Sequence, residues 1–232
     1  MVADARSNTR GRMRPARRDR RRVLAAGAAA ALTLGLAACD RAPPSVGSSS
    51  SGGSSSNSKG GFSSIDITGA DYARTLNLTD AAGKPRSLDE FKGKVTVVFF
   101  GYTQCPDVCP TTMTELASIK KALGPDGARV QPVFVTIDPE RDTAAVLAAY
   151  VASFGPDFVA LRGDAAQTQA AAKEFKVFYA KVPGKTEGSY TMDHTAGSYV
   201  FDKRGRVRLF TRYGAPIDGL RADLKQLLDE KD

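Results

Sequence analysis

The chain has 232 residues, 42% apolar and 25% charged, enough for one ordinary domain with a packed core plus tails. Its formal net charge of +8 would suit a nucleic-acid partner, but nine arginines against two aspartates in residues 1–38 account for nearly all of it. The rest of the chain is close to neutral, which removes any electrostatic reason to expect phosphate-backbone binding.

In chain order, a basic run from Arg17 to Arg22 precedes sixteen uncharged, small-rich residues, Val23 to Ala38. That length suits the apolar region of a secretory signal better than a membrane span of about 20 residues. Leu36-Ala37-Ala38-Cys39 ends the run and resembles a bacterial lipobox, with Cys39 lipidated as the new N-terminus. An uncleaved anchor with an incidental cysteine is the alternative. Arg20-Arg21-Arg22-Val23-Leu24 also resembles a twin-arginine signal, so the export route stays open. Asp40 resembles an inner-membrane retention signal. The expected organisation is a signal peptide over 1–38, a lipid-anchored Ser/Gly-rich tether over 39–64, and a folded domain over 65–232. The Ser/Gly tract from residue 41 to 64 cannot form a core, and a coil of that length spans roughly 25–30 Å. The expected location is the periplasmic side of the bacterial inner membrane, with the domain a monomer.

Within the domain, Lys94–Phe100 is a β-branched and aromatic run between glycines, without polar alternation. It predicts a central strand covered on both faces. Val130–Ile137 reads the same way, and Phe158–Leu161 is a shorter strand. Thr111–Leu123 carries one apolar stripe (Thr112, Leu116, Ile119, Leu123) and stops at Gly124-Pro125. Thr143–Phe154 does likewise through Leu147, Tyr150, Val151 and Phe154. Gly197–Phe201 and Arg206–Phe210 flank a turn at Asp202–Gly205 and predict an antiparallel edge pair. Ile217, Leu220, Leu224, Leu227 and Leu228 form a last helical face. The alternation of strands and helices predicts an α/β, thioredoxin-like fold with a central mixed sheet flanked by helices.

Cys105 and Cys109, in Gly101-Tyr102-Thr103-Gln104-Cys105-Pro106-Asp107-Val108-Cys109-Pro110, follow the central strand and open a helix. Pro106 and Pro110 keep the preceding residues out of helical geometry, and Pro110 suits a first helical turn. Free amides at that terminus are expected to lower the thiol pKa values. Two thiolates on one loop form a soft-donor pair suited to Cu(I), and with an imidazole also to Cu(II). A structural or redox disulfide fits the same spacing in an oxidising compartment. His194 is the only histidine. In a thioredoxin-like fold its segment, just before a strand, lies beside the cysteine helix, where an imidazole can complete a Cys₂His set, although a lone histidine is more often incidental. Thioredoxin-type oxidoreductases place a proline opposite their cysteines, but none occurs between Pro183 and Pro216. A thiol peroxidase is disfavoured because Tyr102 stands where a threonine is usual. Met113 and Met192 are potential soft ligands, with core packing the favoured reading.

Three segments together resemble the Sco/SenC family of copper proteins that help assemble cytochrome c oxidase. They are Phe99–Thr103 leading into Cys105–Pro110, Val135–Thr143 (Val-Thr-Ile-Asp-Pro-Glu-Arg-Asp-Thr), and Asp193-His194 ahead of a strand ending Phe201-Asp202. The resemblance implies copper bound by Cys105, Cys109 and His194, and delivery to the dinuclear copper centre of an oxidase subunit. It implies a supporting role for Asp138 behind the ligands, although Asp138-Pro139 reads equally as a turn. A periplasmic copper donor or thiol reductant would be a further partner. The alternative function is a thiol–disulfide oxidoreductase that uses Cys105 and Cys109 to keep the partner's cysteines reduced.

Overall fold

The computed structural model describes residues 61–231. The expectations placed on residues 1–60, including lipidation at Cys39, lie outside the described residues. No helix among the described residues is long and apolar enough to cross a membrane.

The centre is an eight-stranded mixed sheet. Its strands are β1 (Ile65–Asp66), β2 (Asn77–Asp80), β3 (Pro85–Ser87), β4 (Val95–Gly101), β5 (Val130–Thr136), β6 (Val159–Arg162), β9 (Gly197–Phe201) and β10 (Val207–Arg212). Between them in the chain, β7 (Tyr179–Pro183) and β8 (Tyr190–His194) form a separate two-stranded hairpin. The spatial order of the large sheet is β1-β10-β9-β4-β5-β6-β2-β3. β4 pairs parallel with β5 and β5 with β6, while β9 runs antiparallel to β4. Every residue of β4 and β5 is buried. Their uninterrupted apolar runs follow from coverage on both faces.

The helices are α1 (Val108–Ala122), α2 (Ala144–Ala152), α3 (Ala165–Glu174) and α4 (Ile217–Asp229). Successive side chains on β4 point to opposite faces. Phe99 meets Phe134, whose ring meets Tyr150 of α2. Phe100 instead meets Phe175, at the end of α3. So α1 and α2 cover one face of the sheet and α3 the other. Cys109, Met113, Leu116 and Ile119 form the buried stripe of α1. Two starts are fixed by side-chain caps, Thr143 accepting from the Val146 amide and Asp164 from the Gln167 amide.

The hairpin at Asp202–Gly205 forms as expected, with Gly205 at φ 78° and the Asp202 carboxylate accepting from the Arg204 and Arg206 amides. It is not at the sheet edge. β9 lies between β10 and β4, and the two-residue β1 closes that side. The expectation of an edge pair fails because β1 is too short to announce itself as a strand. Just before β1, the described residues already pack on the domain. The amides of Ser63 and Ser64 donate to the buried Asp223 carboxylate at 2.7 and 2.8 Å, and the Ser64 hydroxyl pairs with that of Thr211.

Candidate metal centre

β4 delivers the chain to its carboxyl end at Gly101, and the loop Tyr102–Asp107 carries Cys105 outward before α1 begins. The loop is pinned from below by Asp142, which is fully buried. Its carboxylate accepts from the Thr103 amide at 3.1 Å, the Thr103 hydroxyl at 2.6 Å and the Thr136 hydroxyl at 2.6 Å. Cys109 falls in the first turn of α1, two residues beyond the Asp107 cap, and its side chain is fully buried. Gly101 makes room for it. A Cβ there would stand 2.8 Å from the Cys109 sulfur and 2.8 Å from the Phe99 ring.

His194 ends β8. Its Nδ1 lies 3.1 Å from the Thr195 carbonyl oxygen. A carbonyl only accepts, so the proton sits on Nδ1 and the Nε2 lone pair is free. Nε2 is 3.7 Å from Sγ of Cys109. The ring stands edge-on to Phe99 and Tyr102, with centroids 6.0 and 6.1 Å away. The Cys109 amide donates to Sγ of Cys105 at 3.4 Å. The three potential ligand atoms of Cys105, Cys109 and His194 all lie within 4.8 Å of one another. Donors bonded at about 2.0–2.3 Å to one shared ion would stand roughly 3.5–4.5 Å apart. The set therefore fits a single soft cation after a small closure. Cys109 is buried, whereas Cys105 and His194 are partly exposed, so the site is open on one side. Both cysteines are free.

One expectation is reversed. Burial pushes the Cys109 thiol well above its ordinary pKa, and the nearby Cys105 sulfur and Asp142 carboxylate add to the rise. Desolvation at a fully covered sulfur outweighs the partial charge of the helix amides. Burial also pushes His194 below the ordinary imidazole value, partly countered by its bond to the Thr195 carbonyl and by Asp193. Both effects favour the neutral forms of Cys109 and His194 in the metal-free site.

Asp138 is nearly fully buried and makes no hydrogen bond to the three donors among the described residues. Its oxygens pair instead with the Arg141 guanidinium and, at 2.9 Å, with the Tyr190 hydroxyl. It holds the turn end of the hairpin that carries His194. Met113 and Met192 are buried in the core. The reading of the sequence missed Arg141, Asp142 and Tyr190 as working parts. Only the Val135–Thr143 segment, matched as a whole, marked the first two, and Tyr190 carried no signal.

The sequence profile of the SCO1/SenC family matches residues 66–229. The chain is similar to ScoI of Bradyrhizobium japonicum, solved with copper bound (42% identity, TM-score 0.60, 66% of this chain and 98% of that one). It is similar also to apo Sco1 of Thermus thermophilus (37% identity, TM-score 0.65, 74% of this chain and 99% of that one). A SCO2-like protein of Rickettsia felis is 39% identical over 132 residues, 56% of this chain. That match spans 64% of the relative's length, so somewhat under two thirds of the curated protein is covered. A profile match across most of the chain, on a fold that gathers two cysteines and a histidine at one sheet end, places this chain in the SCO1/SenC family.

Proposed function

We propose that this protein is a copper carrier that holds one ion through Sγ of Cys105, Sγ of Cys109 and Nε2 of His194, and hands it to the copper-accepting subunit of cytochrome c oxidase. The observation that carries the reading is the convergence of the three donor atoms within 4.8 Å. Two sulfurs and an imidazole are the donor types that favour copper. The copper-bound Bradyrhizobium relative, at 42% identity, supports the choice of ion. The recipient is the one implied by family membership. Bound copper supplies the cargo, and the chain's own residues manage its entry and exit. The Cys109 thiol gives up its proton on loading. The Nδ1–H bond to Thr195 keeps the Nε2 lone pair presented. The exposed side, at Cys105, is where a partner's donors enter and exchange ligands one at a time.

The basic and apolar runs of residues 17–38, Cys39 and the Ser/Gly tract support a lipid-anchored carrier outside the cytoplasm, on the periplasmic side of the inner membrane. The test is one equivalent of copper added to the reduced protein and to His194→Ala. The native protein is expected to show thiolate-to-Cu(II) absorption and to retain Cu(I), and the variant to lose affinity. No absorption together with no retention in the native protein would sink the assignment.

A redox role has one observation in its favour, two free cysteines of unequal exposure joined by the Cys109 amide bond to Cys105. The half-exposed Cys105 would attack a partner disulfide and Cys109 would resolve it. Oxidase assembly lost in His194→Ala without a copper defect would favour that role, whereas copper loss with intact thiol exchange would favour the carrier.

A further inference from the structure

The hairpin β7–β8 is not part of the large sheet, yet it supplies the third donor. Something outside the sheet ladder must hold it against the cysteine loop. Arg141, at the turn before α2, touches both partners. Its Nε pairs with the buried Asp138 carboxylate. Its Nη1 donates to the Tyr190 carbonyl at 2.8 Å and to the Gln104 side-chain oxygen at 3.1 Å. Its guanidinium lies 3.6 Å above the centre of the Tyr190 ring and 5.7 Å from that of Tyr102. The Tyr190 hydroxyl closes the circuit by donating to Asp138. Tyr190 begins β8, whose last residue is His194, and Gln104 directly precedes Cys105. Nη2 of Arg141 is buried without a partner. A guanidinium kept in place with one donor unsatisfied is held there by its other contacts: Asp138 anchors it, and those to Tyr190 and Gln104 bridge the two ligand-bearing segments.

We propose that Arg141 is a positioning residue: it latches the hairpin bearing His194 onto the loop bearing Cys105, and so sets whether the imidazole reaches the sulfurs. This rests on the three-donor reading of the site and deepens it. Release of the latch turns a three-donor site into a two-thiolate site, a step that suits handing the ion on. The planar fork is essential, because it bonds Asp138 and the Tyr190 carbonyl while stacking on the Tyr190 ring. A lysine has one point of charge and cannot do all three.

The test is a double-mutant cycle on copper affinity, using the native protein, Arg141→Ala, His194→Ala and the double variant, with Arg141→Lys as the conservative exchange. Arg141→Ala is expected to weaken copper binding about 10–100-fold when His194 is present. It should have less than about a twofold effect once His194 is gone. Arg141→Lys should fail to restore affinity although its charge is kept. Equal losses with and without His194 would overturn the latch and leave the ligand assignment standing. A native protein that binds copper no better than His194→Ala would overturn the ligand assignment itself. Hydrogen exchange on the metal-free protein decides the latch independently. Amides of Thr191–His194 should exchange about tenfold faster in Arg141→Lys than in the native chain, and unchanged exchange would overturn the proposal whatever the copper result.

Discussion

Nε2 of His194 lies 3.7 Å from Sγ of Cys109, across 85 residues of sequence. One atom ends a small hairpin and the other sits in the first turn of α1, so their distance reports how two separate units dock. The face of Phe99 and the gap over Gly101 form the floor on which they meet.

Gly101→Ala is expected to damage that floor. The new methyl would press on the Cys109 sulfur and Phe99 ring at 2.8 Å and on the Phe134 ring at 3.0 Å. Overpacking of this kind costs about 1–3 kcal/mol. Because the sulfur is among the atoms displaced, copper affinity should fall with stability. Urea unfolding and a copper competition assay on the same sample check both. A loss of stability with full affinity would show that the ring, and not the sulfur, gives way.

Asp142→Ala removes the acceptor for three donors, the Thr103 amide and the hydroxyls of Thr103 and Thr136. Unsatisfied buried donors cost about 1–3 kcal/mol each, and relaxation of the loop recovers part. A total loss of about 3 kcal/mol is expected in denaturant unfolding. Asp142→Asn, which keeps one acceptor oxygen, should lose less. An equal loss in both would mean that the charge, rather than the hydrogen bonds, fixes the cysteine loop.

The metal-free protein should be least stable at both ends of the pH scale. His194 has its folded pKa lowered. Its contribution is therefore present above the unfolded value of about 6.5 and is lost as pH falls through the folded value. The Cys109 thiol has its folded pKa raised. Its contribution is present below the unfolded value of about 8.5 and is lost as pH rises above it. Urea midpoints measured across pH should fall in both directions. His194→Ala should flatten the acid limb and Cys109→Ala the alkaline limb, relative to the native chain. An acid limb unchanged in His194→Ala would show that burial of the imidazole is not what the curve reports.

Much of the frame is legible without coordinates. Val95–Gly101 and Val130–Thr136 read as central strands because an uninterrupted apolar run has no face to give to water. The Asp202–Gly205 turn reads from its residue types. The β7–β8 hairpin does not. Tyr190–His194 mixes polar and apolar residues, and it is held by Asp138 and Arg141, 52 and 49 residues away. β1 and β3, of two and three residues, are shorter than any pattern can mark.

The sequence by itself determined the strand–helix order, the soft-donor loop between β4 and α1, and the single histidine able to join it, since these follow from side-chain type and local spacing. Tertiary structure alone decided how the donors behave. It buried Cys109 so that desolvation overrode the helix amides, placed Asp142 under the loop, and set Arg141 between hairpin and cysteines. Hydration and contact depend on which segments the sheet order brings together, and no stretch of chain carries that information locally.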